Sequence, residues 1–485
     1  MTSRVIDITT NRGKTGPQPT HSMAEAHARV RESFRDCARE IGKRRRWRRG
    51  YLDELVRRYR FYVEPGATVL ELGVGSGDLL ASLSASRAVG VDISPEMLEV
   101  ARAAHPTLEL IERPAEDLGD LQGPFDYIIL SDLTLYLYDI VRVLREARRM
   151  SHRRTRIIFN FHSRAWQPLL HLLSAAGVHH GGGLTNWVTT EDVTNLLELS
   201  GFQVLRTDVS TLIPAALPGL STGVNRIAPR LGPLRKACLI NWVVARPRQE
   251  LGAMKDLSVT VVCPARNEAG NIREIVDRVP RMGKKTELIF VEGNSTDDTW
   301  HRIRCEVDQP RRRDIAIRAF QQPGRGKGDA VRVGFANASC DILMILDADL
   351  TVPPEELPLF FETIAGGHGE LINGSRLVYP MSDHAMRFLN VLGNKLFARV
   401  FSYLLDQPLK DTLCGTKALT AEDYTRIARG RSYFGELDPF GDFDLLFGAS
   451  KLCLRIVEVP VRYRDRSYGH TNINRFRNGL TLLRM

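Results

Sequence analysis

Residues 343–354 read LMILDADLTVPP. Four apolar residues run into two aspartates, Asp347 and Asp349, and two prolines close the segment. A short apolar run bounded by turn residues reads as a buried strand. Side chains at i and i+2 of a strand share a face. The two carboxylates are therefore expected together at the strand's carboxyl end, where open α/β sheets place ligands. Two hard carboxylate oxygens suit Mg²⁺ or Mn²⁺, which fill their remaining positions with water and phosphate oxygens. An isolated acid pair is more often only a solvated turn, so the neighbouring segments decide.

Upstream lie SVTVVCPA (258–265), a helix from about Asn271, ELIFVEG (287–293) and a capped turn into a helix, NSTDDTWHRIRCEV (294–307). Strand and helix signals alternate, as in an α/β unit. A separate alternation precedes it. TVLELGV (68–74), AVGVDI (88–93), FDYIILSD (125–132), RTRIIFNFH (154–162) and NWVVAR (241–246) read as strands. SPEMLEVARAAH (94–105) reads as a helix with Ser94 as N-cap and Pro95 at its first position. The order predicts a parallel sheet with helices on both faces. The expected fold class is α/β with two Rossmann-like domains. Residues 1–22 form a disordered tail and 23–246 a first domain with a basic N-terminal helix. Residues 247–256 form a linker and 257–485 a second domain.

The 485 residues require two or three domains, and 43% hydrophobic with 26% charged residues is a globular composition. No apolar run reaches the roughly 18–20 residues that cross a bilayer. The N-terminus has no apolar core of a signal peptide. The seven cysteines stand singly, which suits free thiols in a reducing cytosol, and none forms the CxxC pair of a zinc ribbon. A net charge of +10 favours an anionic partner. The basic run KRRRWRR (43–49) fits a solvated helix face, an anionic lipid surface or a nucleic acid.

In LELGVGSGD (70–78), Gly73, Gly75 and Gly77 follow a strand directly. Strand, glycine turn and helix N-terminus together make a nucleotide crevice. Asp92 ends the next strand, at the spacing where an acid meets ribose hydroxyls. The GxGxG spacing differs from the GxGxxG of dinucleotide binders. VLELGVGSGDLL, VGVDISPEMLEVAR, and PAEDL before FDYIILSD resemble the class I S-adenosylmethionine-dependent methyltransferases over about residues 50–246. The resemblance implies that Glu71, Gly73, Gly75 and Gly77 wrap the cofactor S-adenosylmethionine. It places Asp92 on the ribose and Glu116 or Asp117 near the adenine. His162, after a strand, is a candidate base for methyl transfer, although such a histidine is more often a loop or core residue.

PARNEAGNI (264–272), VEGNSTDDT (291–299) and GRGKGDAVRVGFANA (324–338) precede the DAD strand in order. This set resembles the family 2 inverting glycosyltransferases, in the branch of polyprenyl-phosphate (dolichol-phosphate) mannose synthases, over about residues 257–475. The resemblance implies a nucleotide-diphospho-sugar transferase (GT-A) fold. Pro264, Ala265, Asn267, Glu268 and Glu292 would surround the nucleotide, with Lys327 beside it. Asp347 and Asp349 would hold metal and diphosphate. Glu292 stands where the family usually has Asp. Arg376, Arg387 and Arg466 match arginines that hold donor and acceptor phosphates, a task suited to guanidinium. Asp442 falls where many relatives carry a catalytic base, which a hydroxyl acceptor needs and a phosphate acceptor does not.

These features imply a bifunctional enzyme. One half moves a sugar from a nucleotide-sugar donor to a polyprenyl phosphate or glycolipid; the other is a methyltransferase serving the same pathway. The expected location is cytoplasmic, with peripheral membrane contact through an amphipathic segment at 475–485. Two other readings stand beside it. One is a glycosyltransferase on a soluble or polymeric saccharide with a scaffold-only methyltransferase domain. The other is an RNA-binding methyltransferase; no nucleic-acid-binding module is evident, so no nucleic acid is expected.

Overall fold

The computed structural model describes residues 22–175, 186–214, 220–249, 256–378, 398–405, 407–431, 442–464, 466 and 468. Side chains at 36, 39–49, 173–175, 220, 222, 233 and 442 are not among those described. Residues 1–21 of the expected tail, Arg387 and the segment 475–485 lie outside them, as do the side chains of KRRRWRR. The chain divides into two compact units at Pro247.

The first unit opens with a helix over Met23–Tyr62, capped by Ser22, whose hydroxyl accepts from the Glu25 amide. Seven strands follow: β1 (Thr68–Leu72), β2 (Arg87–Asp92), β3 (Glu109–Glu112), β4 (Phe125–Ser131), β5 (Ser151–His162), β6 (Phe202–Ser210) and β7 (Ile240–Pro247). They lie in the order β3-β2-β1-β4-β5-β7-β6. Strands β3 to β5 run parallel, whereas β7 pairs antiparallel with β5. The sheet is thus mixed, not the parallel one expected from the sequence. Two strands, β3 and β6, lie in segments that the sequence left unassigned. Leu70, Leu72, Val89, Val91, Ile128 and Leu130 share one buried cluster, on alternate positions of β1, β2 and β4. Ser94 caps the helix Pro95–Ala104 by accepting from the Met97 amide, with Pro95 at its start as expected.

The second unit repeats the plan. Its strands are β8 (Val259–Ala265), β9 (Thr286–Glu292), β10 (Ala316–Gln321), β11 (Ile342–Ile345), β12 (Leu371–Ser375), β13 (Lys417–Thr420) and β14 (Ile456–Pro460). The order is β10-β9-β8-β11-β13-β12-β14, with β13 antiparallel to both neighbours. The apolar strands are buried on both faces. Val261, Leu288, Phe290 and Met344 enter one core; Val262, Ile289, Val291, Leu343 and Ile345 enter the other. Strand β11 ends at Ile345, so Asp347 and Asp349 stand in the turn beyond it. The i, i+2 strand rule therefore does not place them. Among the described residues no helix is long and apolar enough to cross a membrane. The seven cysteines are free thiols.

Helix Lys327–Ala336 packs on β8 through Gly334, where an added Cβ would collide with the Val262 side chain. The larger substitution Gly334→Val should overpack this contact and lower stability by about 1–3 kcal/mol. Urea unfolding checks it; an unchanged midpoint would show that the helix can lift off β8 without cost.

Candidate functional sites

In each unit the strand order turns back on itself, between β1 and β4 in the first and between β8 and β11 in the second. Ligands of open α/β sheets bind outside the strand ends at such switch points. Several of the residues singled out by the sequence stand at these strand ends.

In the first unit Gly73, Gly75 and Gly77 all take left-handed backbone angles, with φ of 75°, 52° and 74°. Only glycine adopts these at little cost. A Cβ at Gly73 would stand 2.6 Å from Leu133 Cδ1, so the loop lies directly against the end of β4. Asp92 braces the loop. Its Oδ2 accepts from the Gly75 amide at 2.8 Å and its Oδ1 from the Ser94 amide at 2.9 Å. Enclosure raises the Asp92 carboxyl above its ordinary value, partly offset by these amides. Burial, and then the charge of Asp92, pushes Glu71 well above the usual carboxylate range. Glu71 Oε2 is buried without a partner, an open acceptor under the glycine loop.

Glu116 and Asp117, expected near the adenine, lie in the turn after β3. Glu116 is buried and its Oε1 accepts from the Tyr138 amide at 3.0 Å. His27 Nε2 lies 3.3 Å from Oε2, at an angle too poor for a hydrogen bond. Asp117 is exposed and closes a local turn by accepting from the Gly119 amide.

Beside this loop stands a polar network that the sequence signalled only at His162. The Tyr51 hydroxyl donates to Asp132 Oδ2 at 2.7 Å and lies 3.2 Å from His162 Nε2. Asn160 Nδ2 donates to Asp132 Oδ1 at 2.8 Å, and Tyr59 donates to Asn160 Oδ1 at 2.7 Å. Asn160 was visible as the one amide inside the apolar run IIFNF. Tyr51 and Tyr59, eight apart on a basic helix, gave a weaker sign.

In the second unit Asn267, Asn294 and Leu350 adopt left-handed φ of 56°, 58° and 54°, just beyond the ends of β8, β9 and β11. Non-glycine residues there are uncommon and gather at functional sites. Lys327 Nζ meets Asp347 Oδ1 at 2.6 Å, and Arg466 Nη2 donates to Asp349 Oδ2 at 2.6 Å. Arg466 also reaches Glu268 Oε1 at 3.4 Å, while Asn271 donates to Glu268 Oε2 at 2.8 Å. Enclosure tends to raise Asp347, but Lys327, Lys417 and Arg376 outweigh it and hold it below its ordinary value. Lys417, buried within β13, was not singled out in the sequence. Nor was Gly415, where a Cβ would strike both Asp347 and Lys327.

Other expected residues are bonded within the unit as follows. Pro264 and Ala265 end β8, paired with Val291 and Glu292. Asn267 Oδ1 accepts from the Thr296 amide at 2.8 Å, tying the β8 loop to the β9 loop. Glu292 is buried and accepts from Gln321 at 3.2 Å and from the Ser295 amide. Arg376 is gripped by Asp411, Nε and Nη2 donating at 2.7 and 2.8 Å, and it lies over the Tyr463 ring. That fork is spent on a buried carboxylate, not offered to a phosphate. Asp442 begins the helix Asp442–Lys451.

For a divalent ion, Asp347 and Asp349 are the right donors, but each already faces a cation. No group of three or more metal-ligating side chains occurs among the described residues. For S-adenosylmethionine, the glycine cradle, the braced Asp92 and the unpartnered Glu71 oxygen fit a cationic, ribose-bearing ligand.

Comparison with known proteins follows the same division. The family described as "Glycosyl transferase family 2" matches residues 260–421, and the family described as "Methyltransferase domain" matches residues 69–153. The chain joins a methyltransferase domain to a family 2 glycosyl transferase domain. Glycosyltransferase AglJ of Haloferax volcanii is 26% identical over 46% of this chain and 68% of its own length. A dolichol-phosphate mannosyltransferase of Pyrococcus furiosus is 28% identical over 45% of this chain and 59% of its own. The match thus spans about three fifths to two thirds of these relatives. A solved SAM-dependent methyltransferase of Thermotoga maritima is 18% identical over 45% of this chain and 99% of its own, with a TM-score of 0.36. It adds nothing to the strand order already described.

Burial raises the Glu268 carboxyl from 4.5 to about 7, against the pull of Arg466 and with the help of Asp349. Between those values the folded chain keeps a proton that the unfolded chain has lost. This group's contribution to stability therefore falls as pH rises through that window. Glu268→Gln should flatten the fall. Urea midpoints at about pH 5 and about pH 8 test it; an equal fall in wild type and variant would contradict it.

Proposed function

We propose that the second unit transfers a sugar, with inversion, from a nucleotide-sugar donor to a polyprenyl phosphate, and that the first methylates with S-adenosylmethionine in the same pathway. The observation that carries this reading is the convergence of Glu268, Lys327, Asp347, Asp349 and Arg466 at the ends of β8 and β11. Such a cluster of cations among acids suits a charged diphosphate that exchanges partners as it binds. Asp347 and Asp349 would hold Mg²⁺ or Mn²⁺; when bound, the ion neutralises charge on the departing diphosphate. Lys327 and Arg466, released from the two aspartates, would turn to phosphate oxygens. A phosphate acceptor is already an anion and needs no base. The acceptor class is supported by the name of the Pyrococcus relative. Arg376 is not assigned to it, because Asp411 occupies its fork.

In the first unit, Gly73, Gly75 and Gly77 would wrap the cofactor, Glu71 would face its positive end and Asp92 its ribose. The intact brace from Asp92 to Gly75 favours this over a scaffold role.

A chelator should abolish release of nucleoside diphosphate from sugar nucleotides in the presence of polyprenyl phosphate, and leave S-adenosylmethionine affinity unchanged. Asp92→Ala should do the reverse, costing about 1.5–3 kcal/mol, or roughly ten- to a hundredfold in affinity. Calorimetry and a diphosphate-release assay measure both. Cofactor affinity lost with the metal, or transfer unaffected by chelator, would refute the assignment.

Peripheral membrane contact has support in the first unit. Ile227, Leu231 and Leu234 are 55%, 48% and 39% exposed, interleaved with exposed Arg226, Arg230 and Lys236. Apolar and basic side chains mixed in this way suit an anionic interface. The chain should sediment with phosphatidylglycerol vesicles and be released by salt. Leu231→Asp should weaken that binding. Equal binding to neutral vesicles would contradict it.

A further inference from the structure

We propose that Gln321 reads the base of the donor nucleotide, and that this base is uracil and not guanine. This rests on reading the second unit as a nucleotide-sugar transferase, and it adds the class of donor.

The sheet sets the positions. Ala265, Glu292 and Gln321 end β8, β9 and β10 and stand in register, Ala265 opposite Glu292 and Glu292 opposite Gln321. Strand β10 is the edge of the sheet. Neighbouring strands lie about 4.8 Å apart, so Gln321 stands about 10 Å from β8. Ribose and diphosphate bridge such a span. A diphosphate beside Lys327 and Asp347 therefore leaves its base near the end of this row.

Glu292 cannot itself meet the base. It is 2% exposed, and both its oxygens are taken. Oε1 accepts from the Ser295 amide, and Oε2 accepts from Gln321 Nε2 at 3.2 Å. Its side chain, one methylene longer than aspartate, reaches Gln321 on the next strand. Gln321, by contrast, is exposed. A carboxylate only accepts, so this bond fixes which way the Gln321 amide faces. Its oxygen and its second N–H have no partner among the described residues and are presented together. The chain thus offers one acceptor beside one donor, where a free carboxylate would offer two acceptors.

Uracil carries an N3–H beside a carbonyl. The N–H gives to Gln321 Oε1, and the carbonyl takes the second Gln321 N–H, so every group is matched. Guanine carries two adjacent donors, N1–H and the N2 amino group, and these call for a carboxylate. On Gln321 it pairs through O6 and N1–H, and its amino group is left without an acceptor. A polar group left unmatched at a contact loses more than a matched one gains. Gln321 is the residue that touches the base; Glu292 is a positioning residue, since it acts by holding Gln321.

Calorimetry of the full chain with Mn²⁺, titrated with UDP or with GDP, tests the proposal. UDP should bind about tenfold or more tightly than GDP. Gln321→Ala, at an exposed position, should bring the two within about threefold of each other. The exchange of Glu292→Gln with Gln321→Glu keeps a donor facing an acceptor between the two side chains and keeps an acceptor for the Ser295 amide. It turns a carboxylate outward and should favour GDP. Urea midpoints report whether each variant is folded, and Gln321→Ala decides alone where the exchange does not fold. GDP bound by wild type as tightly as UDP, or a UDP preference undiminished in Gln321→Ala, would overturn the proposal. Wild-type protein that binds neither nucleotide would instead overturn the sugar-transfer reading, and this inference with it.

Discussion

A parallel strand with parallel neighbours on both sides must release its chain from the sheet at its carboxyl end. Where one crossover leads to the left-hand neighbour and the other to the right, the two connections leave on opposite faces. The ends of β1 and β4 are such points, as is the end of β8 beside β11, whose far neighbour β13 is antiparallel. No crossover covers them, and their loops must satisfy their own backbone groups. Both candidate sites are answers to that constraint.

The two units answer it differently. The first uses glycine: three left-handed positions in five residues, held by a carboxylate that accepts from the loop and from the next helix start. The result is a cradle of backbone amides with a buried acid beneath it, one of whose oxygens, Glu71 Oε2, has no partner. The second uses side chains. Left-handed Asn267, Asn294 and Leu350 turn the chain at three strand ends, and Asn267, Ser295 and Thr299 stitch the loops together. Charges then face inward in opposite-sign pairs, Lys327 with Asp347 and Arg466 with Asp349 and Glu268. A cradle of amides suits one ligand held closely. Paired charges suit a ligand that brings its own charge and exchanges partners.

Much of this was legible in the sequence because the signals are local. Apolar runs of strand length, the Ser94–Pro95 helix start, the glycine loop and the DAD turn all reside within a few residues. What was missed is non-local. Arg376 and Asp411 lie 35 residues apart, and Tyr51 and Asp132 lie 81 apart, so neither pairing has a sequence signature. Antiparallel β7 and β13 resemble parallel strands in composition, because they too are buried on both faces. Strand β3, ELIE, is short and half-polar, and it escaped for that reason. The partners of Glu292 and Arg376 were likewise not legible. Each holds a motif position, yet each side chain is engaged within the scaffold.

The central claim is that one chain carries two transferases acting on one product. The direct measurement supplies the full chain with polyprenyl phosphate, a sugar nucleotide labelled in the sugar, and S-adenosylmethionine labelled in the methyl group, then extracts the lipid. The account predicts both labels in one lipid-linked saccharide. A lipid carrying the sugar label alone, with the methyl label absent or on a separate molecule, would contradict it.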